Sequence, residues 1–111
     1  MVQMNARIAF IFSVFITACA APVAKPAPVG VVPDAGGLQP AGTHLRIDFW
    51  RDGAGVLTAV NRLKGSEPTQ KFTVPGCGDV VVWPDGLRLI FVEGDFRGWV
   101  MGDRREGVIC G

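Results

Sequence analysis

The strongest constraint on this 111-residue chain is the stretch at residues 86–100. Leu87, Leu89 and Phe91 alternate with Arg88, Glu93-Gly94-Asp95 supply turn residues, and Phe96 resumes an extended run as far as Met101. Period two, a tight turn and a second extended run predict a β-hairpin. Two paired strands of this length commit the domain to an antiparallel sheet, because a lone hairpin is marginal in water and needs further strands or a helix against it.

The neighbouring segments supply them. Pro84-Asp85-Gly86 is a turn signal, with Pro fixing the first position, Asp bonding its own backbone and Gly taking positive φ, so residues 79–83 read as the preceding strand. Residues 70–74 read as a short strand before Pro75-Gly76-Cys77-Gly78. Residues 43–50 alternate, with Leu45, Ile47 and Phe49 on one side and His44, Arg46, Asp48 and Trp50 on the other, as a half-buried strand does. Between them the period changes. Val56, Leu57, Val60 and Leu63 form an apolar stripe over residues 54–64, with Asp52 placed to cap its start, Arg62 and Lys64 in its last turn and Gly65 after it. An extended reading of 55–63 would have to accommodate Thr58 and Asn61. After Met101, residues 102–107 read as a polar turn and 108–110 as a short last strand. The expected fold is α+β: a small antiparallel sheet of four or five strands, one covering helix, one disulfide, and one sheet face left open.

The first 19 residues are excluded from that fold. Arg7 precedes apolar runs at 8–12 and 14–16, which together have the length of a signal-peptide core and are too short to span a bilayer. They end in Ile16-Thr17-Ala18-Cys19, which resembles the lipobox of bacterial lipoprotein precursors at all four positions. The resemblance implies a lipid such as palmitate on Cys19 and attachment to the membrane, since two or more acyl chains anchor stably. In a two-membrane bacterium, Ala rather than Asp at position 20 implies passage to the outer membrane. Ala18-Cys19-Ala20 also fits ordinary signal cleavage, which would release a soluble chain.

Residues 20–42 shift to Ala, Pro, Val and Gly, with Lys25 and Asp34 their only charges. Pro22, Pro26, Pro28, Pro33 and Pro40 exclude regular helix, so the segment reads as a flexible linker reaching about 60–70 Å when extended. The domain is then residues 43–111. With Cys19 taken by lipid, Cys77 and Cys110 remain as an even pair, the pattern of an oxidising compartment; a bridge between them closes a loop of about 30 residues and stabilises by roughly 3–4 kcal/mol. The formal net charge is +1, and from Thr43 onward acids and bases balance. Without a basic stripe there is no counterion release from a phosphate backbone, so nucleic-acid binding is set aside.

At the level of pattern the domain is similar to small bacterial envelope proteins related to the lipoprotein subunit of the outer-membrane β-barrel assembly machinery and to the β-lactamase inhibitor proteins. The likeness is carried by the helix with Val56, Val60 and Leu63, the turn Gly65-Ser66-Glu67-Pro68, and the run Gly86-Leu87, Phe91, Gly94, Phe96, Gly98-Trp99. It covers about half the chain. Those folds usually open with two helices, and this turn has an extra residue between Gly and Pro. The resemblance implies a binding module of the envelope and carries over no functional residue.

Catalysis is not expected. Beyond the leader Ser66 is the only serine, His44 is the only histidine, and tyrosine is absent, so no nucleophile has an evident base. The carboxylates Asp52, Asp79, Asp85, Glu93, Asp95 and Asp103 adjoin Gly or Pro in turns, where Asp and Glu serve the backbone, and a calcium loop's spacing is missing. No cofactor or metal is implied. What remains is a surface for an envelope protein: Trp50, Trp83, Arg88, Phe96, Arg97 and Trp99 are the residue types that anchor interfaces, although each of three tryptophans in so small a domain reads first as core packing, and Arg97 is the best placed for an exposed cation on an aromatic ring.

Overall fold

A computed structural model describes residues 30–110; the expected leader, Cys19 and residues 20–29 lie outside them. The elements in order are β1 (Val31–Asp34), β2 (Gly37–Pro40), β3 (Ile47–Asp48), α1 (Gly53–Lys64), β4 (Gln70–Val74), β5 (Gly78–Val82), β6 (Arg88–Val92), β7 (Asp95–Met101) and β8 (Arg104–Gly107). The central hairpin forms where expected, with β6 and β7 antiparallel and Glu93 and Gly94 both at positive φ in the turn, at 51° and 87°. Positive φ at both central residues matches the twist of the flanking strands. Around it β4-β5-β6-β7-β8 runs as a five-stranded antiparallel meander.

The helix is capped as its sequence predicts. The Asp52 carboxylate accepts from the Gly55 backbone N–H, Gly65 is left-handed at φ 67°, and its N–H donates to the Asn61 carbonyl. Val56 and Val60 are buried against Val81, Leu87, Leu89 and Phe91 on one sheet face. Trp83 and Trp99 complete this core, each with its indole N–H satisfied, by Asn61 Oδ1 at 3.0 Å and the Asp34 carbonyl at 2.7 Å.

Four expectations change. The region from residue 31 to 40 is not linker but a hairpin: Asp34 Oδ1 accepts from the Gly36 N–H to close its turn, and Leu38 is fully buried in the core. Its prolines exclude helix, yet they suit an edge strand or a strand end, where no ladder donor is needed. A second, three-stranded sheet β1-β2-β3 results. Within residues 43–50 only Ile47–Asp48 is strand. The Thr43 hydroxyl accepts from the Leu45 N–H and turns the chain there, leaving Leu45 77% exposed. The last strand is the polar Arg104–Gly107, and residues 108–110 lie outside any strand.

That final segment accounts for the fourth change, because the sheet face away from the helix is not open. Val80, Val82, Ile90 and Cys110 form a second buried cluster there, flanked by Val92, Val100 and Val108. The disulfide Cys77–Cys110, with Cα atoms 5.8 Å apart, pins the strap to the β4–β5 turn. A Cβ at Gly98 would lie 1.9 Å from the Val108 carbonyl oxygen, so only glycine lets the strap pass.

Candidate functional site

The sheet's one irregularity builds its most unusual surface. Phe91 pairs with Phe96 but Ile90 pairs with Gly98, so Arg97 is the extra residue of a β-bulge. A bulge re-aims side chains. Here it places Phe96 and Trp99, three residues apart, in the same core, where strict alternation would have sent them to opposite faces. It also divides the outer edge of β7. The Phe96 carbonyl accepts from Trp50 N–H at 2.6 Å and the Phe96 N–H donates to the Arg51 carbonyl at 2.8 Å, whereas the Arg97 carbonyl accepts from Val108 N–H at 2.9 Å.

Trp50 is therefore fixed by backbone, at φ 78°. Left-handed backbone is rare for a bulky residue and costs on the order of 1–3 kcal/mol. The ring is 65% exposed, and the Arg97 guanidinium carbon lies 3.4 Å from its centroid. That is cation–π stacking of a flat cation on an indole, a contact that strengthens as water leaves it. The pair presents a preformed aromatic and cationic surface on a disulfide-pinned frame.

The other expected interaction residues separate. Trp83, Phe96 and Trp99 are at most 1% exposed and belong to the core, because the covering helix, the 31–40 hairpin and the bulge together enclose them. Arg88 is exposed on β6, opposite Leu87 and Leu89 in the alternation. It has no part in the Trp50 contact. Arg104 stands 5.4 Å from the Trp99 centroid and donates to the Pro33 carbonyl, closing the 31–40 hairpin over that ring. Sequence reasoning did not single out Arg104; its place in the polar 102–107 run gave no signal.

Two ion-pair sites hold the periphery. Arg46 binds Asp34 through two nitrogens and Asp48 through a third, and its hydrogen bond to Asp34 is the main cause that lowers that carboxyl to about 2. Burial pushes Asp85 up, but the Lys64 ammonium and the Leu87 N–H outweigh it and hold the carboxyl below its ordinary value. Both sites staple turns. Among the described residues no three His, Cys, Asp or Glu side chains converge as metal ligands.

A groove of about 400 Å³ runs between the first turns of α1 and strands β4 and β5, lined by Gly53, Leu57, Lys71, Thr73, Asp79 and Phe91 among others. Its polar edge is ordered by a 2.7 Å hydrogen bond from the Thr73 hydroxyl to Asp79 Oδ1. No helix among the described residues is long and apolar enough to cross a membrane. Comparison with protein families, curated proteins and solved structures finds no match for this chain.

Proposed function

We propose that this chain is a bacterial envelope lipoprotein, anchored in the outer membrane through Cys19, whose domain binds another envelope protein by noncovalent contact at Trp50 and Arg97. The observation that carries the reading is Trp50 itself: an exposed tryptophan held in a strained backbone conformation under an arginine. Folding alone gains little from such a residue, since the ring stays mostly in water, whereas large rigid aromatics beside Arg are what interface centres use. The disulfide supports export, and the lipobox resemblance supports the anchor.

A photo-crosslinking residue at position 50, with exposed position 67 as control, tests the contact in cells. One discrete adduct from position 50 and none from 67 is expected; equal labelling from both, or none from either, overturns it. The intact mass of membrane-purified protein tests the anchor, an acylated N-terminal Cys19 being expected. A second reading, a secreted or periplasmic inhibitor or small-ligand binder, draws on the groove beside α1. An unacylated chain beginning at Ala21 would favour it.

A further inference from the structure

The two sheets leave edges of different character. β8 ends the five-stranded sheet with Arg104, Arg105 and Glu106, and β1 ends the smaller sheet with Pro33 in its middle. Charge and proline are the devices that keep sheet edges from pairing. The remaining edge of the five-stranded sheet, β4, has the sequence Gln70-Lys71-Phe72-Thr73-Val74. It carries one charge and no proline, its Phe72 is 41% exposed, and no described strand pairs with its outer side.

We infer that β4 pairs antiparallel with β4 of a second copy of this chain, about a two-fold axis through Phe72. The register follows from the pattern. Lys71 pairs with the core residue Val81 and Thr73 with Asp79, so Lys71 and Thr73 point to the helix side; Phe72 pairs with Val80 and points to the strap side. A two-fold axis perpendicular to the sheet preserves faces and must pass through a residue. Centred on Lys71 it would oppose two ammonium groups, an unfavourable pair. Centred on Phe72 it pairs all five residues, sets Phe72 against its own copy, and places each Lys71 opposite the other copy's Thr73. That Thr73 already donates to Asp79, so each ammonium approaches a carboxylate one strand beyond. The contact is isologous and complementary in charge, as a two-fold interface requires. It joins two meanders into one ten-stranded sheet, at the sheet edge away from Trp50.

Cysteine crosslinking of the full chain in cells tests this without reference to lipid or to the Trp50 partner. Directly opposed residues have Cβ atoms about 4.5–5.5 Å apart, close to disulfide geometry. Phe72→Cys alone should give a covalent dimer under mild oxidation. Lys71→Cys should crosslink only when coexpressed with Thr73→Cys, and Thr58→Cys on the exposed helix face should stay monomeric. Equal dimer from Thr58→Cys and Phe72→Cys, or dimer from Lys71→Cys alone, overturns the pairing. Sedimentation of the purified full chain gives a second readout with native Phe72. The wild type should associate with a midpoint between about 10 μM and about 1 mM, and Lys71→Glu should weaken it about tenfold through two symmetry-related repulsions. A wild type that stays monomeric across that range, or a Lys71→Glu variant that associates as strongly as wild type, would overturn it.

Discussion

Replacing both Cys77 and Cys110 by alanine isolates the strap's covalent contribution. The bridged residues are 33 apart, and the chain-entropy relation for a loop of that length gives about 3.8 kcal/mol at 25 °C. Little packing offsets this, since Cys77 lies only partly buried at a turn and Cys110 contributes a small side chain. A domain of this size has a total stability of about 4–12 kcal/mol, so the variant should melt roughly 15–30 °C lower at the 4–8 °C per kcal/mol typical of such domains. The assay is urea unfolding followed by tryptophan fluorescence, with the wild type measured oxidised and reduced. Reduced wild type and the double variant should coincide, and both should show a larger m-value than the oxidised protein, because the unbridged unfolded chain exposes more surface. Truncation after Gly107 should cost more than the double substitution, as it also uncovers Val80 and Ile90. A loss below about 1 kcal/mol, with m unchanged, would refute the reasoning that the bridge acts by restricting the unfolded chain.

The three tryptophans should respond differently. Trp99→Ala should cost about 3–5 kcal/mol in urea unfolding as a large core truncation, while Trp50→Gly should stay within about 1 kcal/mol of wild type, because glycine relieves the left-handed strain that the exposed ring incurs, and should still abolish crosslinking to the proposed envelope partner. Gly98→Ala should prevent the strap from seating, seen as incomplete Cys77–Cys110 oxidation by mass spectrometry after refolding. Asp34 is depressed on folding from 3.8 to about 2, so its contribution is present above pH 4 and lost as pH falls through 4 towards 2. The stability difference between wild type and Asp34→Asn should be constant from pH 6 to about pH 5, shrink through pH 4 and reach its floor only below pH 2; as the pair is partly exposed the difference is small, and one that grew on acidification would contradict the assignment.

Local signals carried much of this fold into the sequence. The helix was legible because Asp52, the 56–57–60–63 stripe and Gly65 agree at every level, and the central hairpin because its turn residues and alternation coincide. The disulfide followed from the pair of cysteines that remains once Cys19 is read as a lipid site. What stayed hidden depended on long-range contact. Leu38 looks like one more apolar residue in an Ala/Pro background until Trp99 donates to the Asp34 carbonyl and draws the 31–40 hairpin onto the core. The bulge at Arg97 is set by pairing register, which the local pattern does not carry, so nothing in the sequence showed that Phe96 and Trp99, both nominated for a surface, share one core. Of the interaction residues, composition could nominate Trp50 and Arg97 but could not distinguish them from Trp83, which differs by a hydrogen bond to Asn61 on a different element.

The 31–40 hairpin has a mechanical consequence. Gly30 donates to the Leu63 carbonyl at the C-terminal end of α1, and Val31 is opposite Pro40 at the open end of the β1–β2 pair. A pull applied at residue 30, as the proposed lipid on Cys19 would apply it, therefore reaches the hairpin end-on and opens its pairs one at a time, the weakest loading geometry an antiparallel pair has. The disulfide-bridged meander lies beyond the point of load. Tension should peel β1 and β2 from the core first, paying out the ten residues of 31–40 at up to about 3.3 Å each, roughly 30 Å in all, before the sheet feels it. Single-molecule pulling from residue 30 should show that short extension step ahead of global rupture; a single-step rupture would show that hairpin and meander yield together.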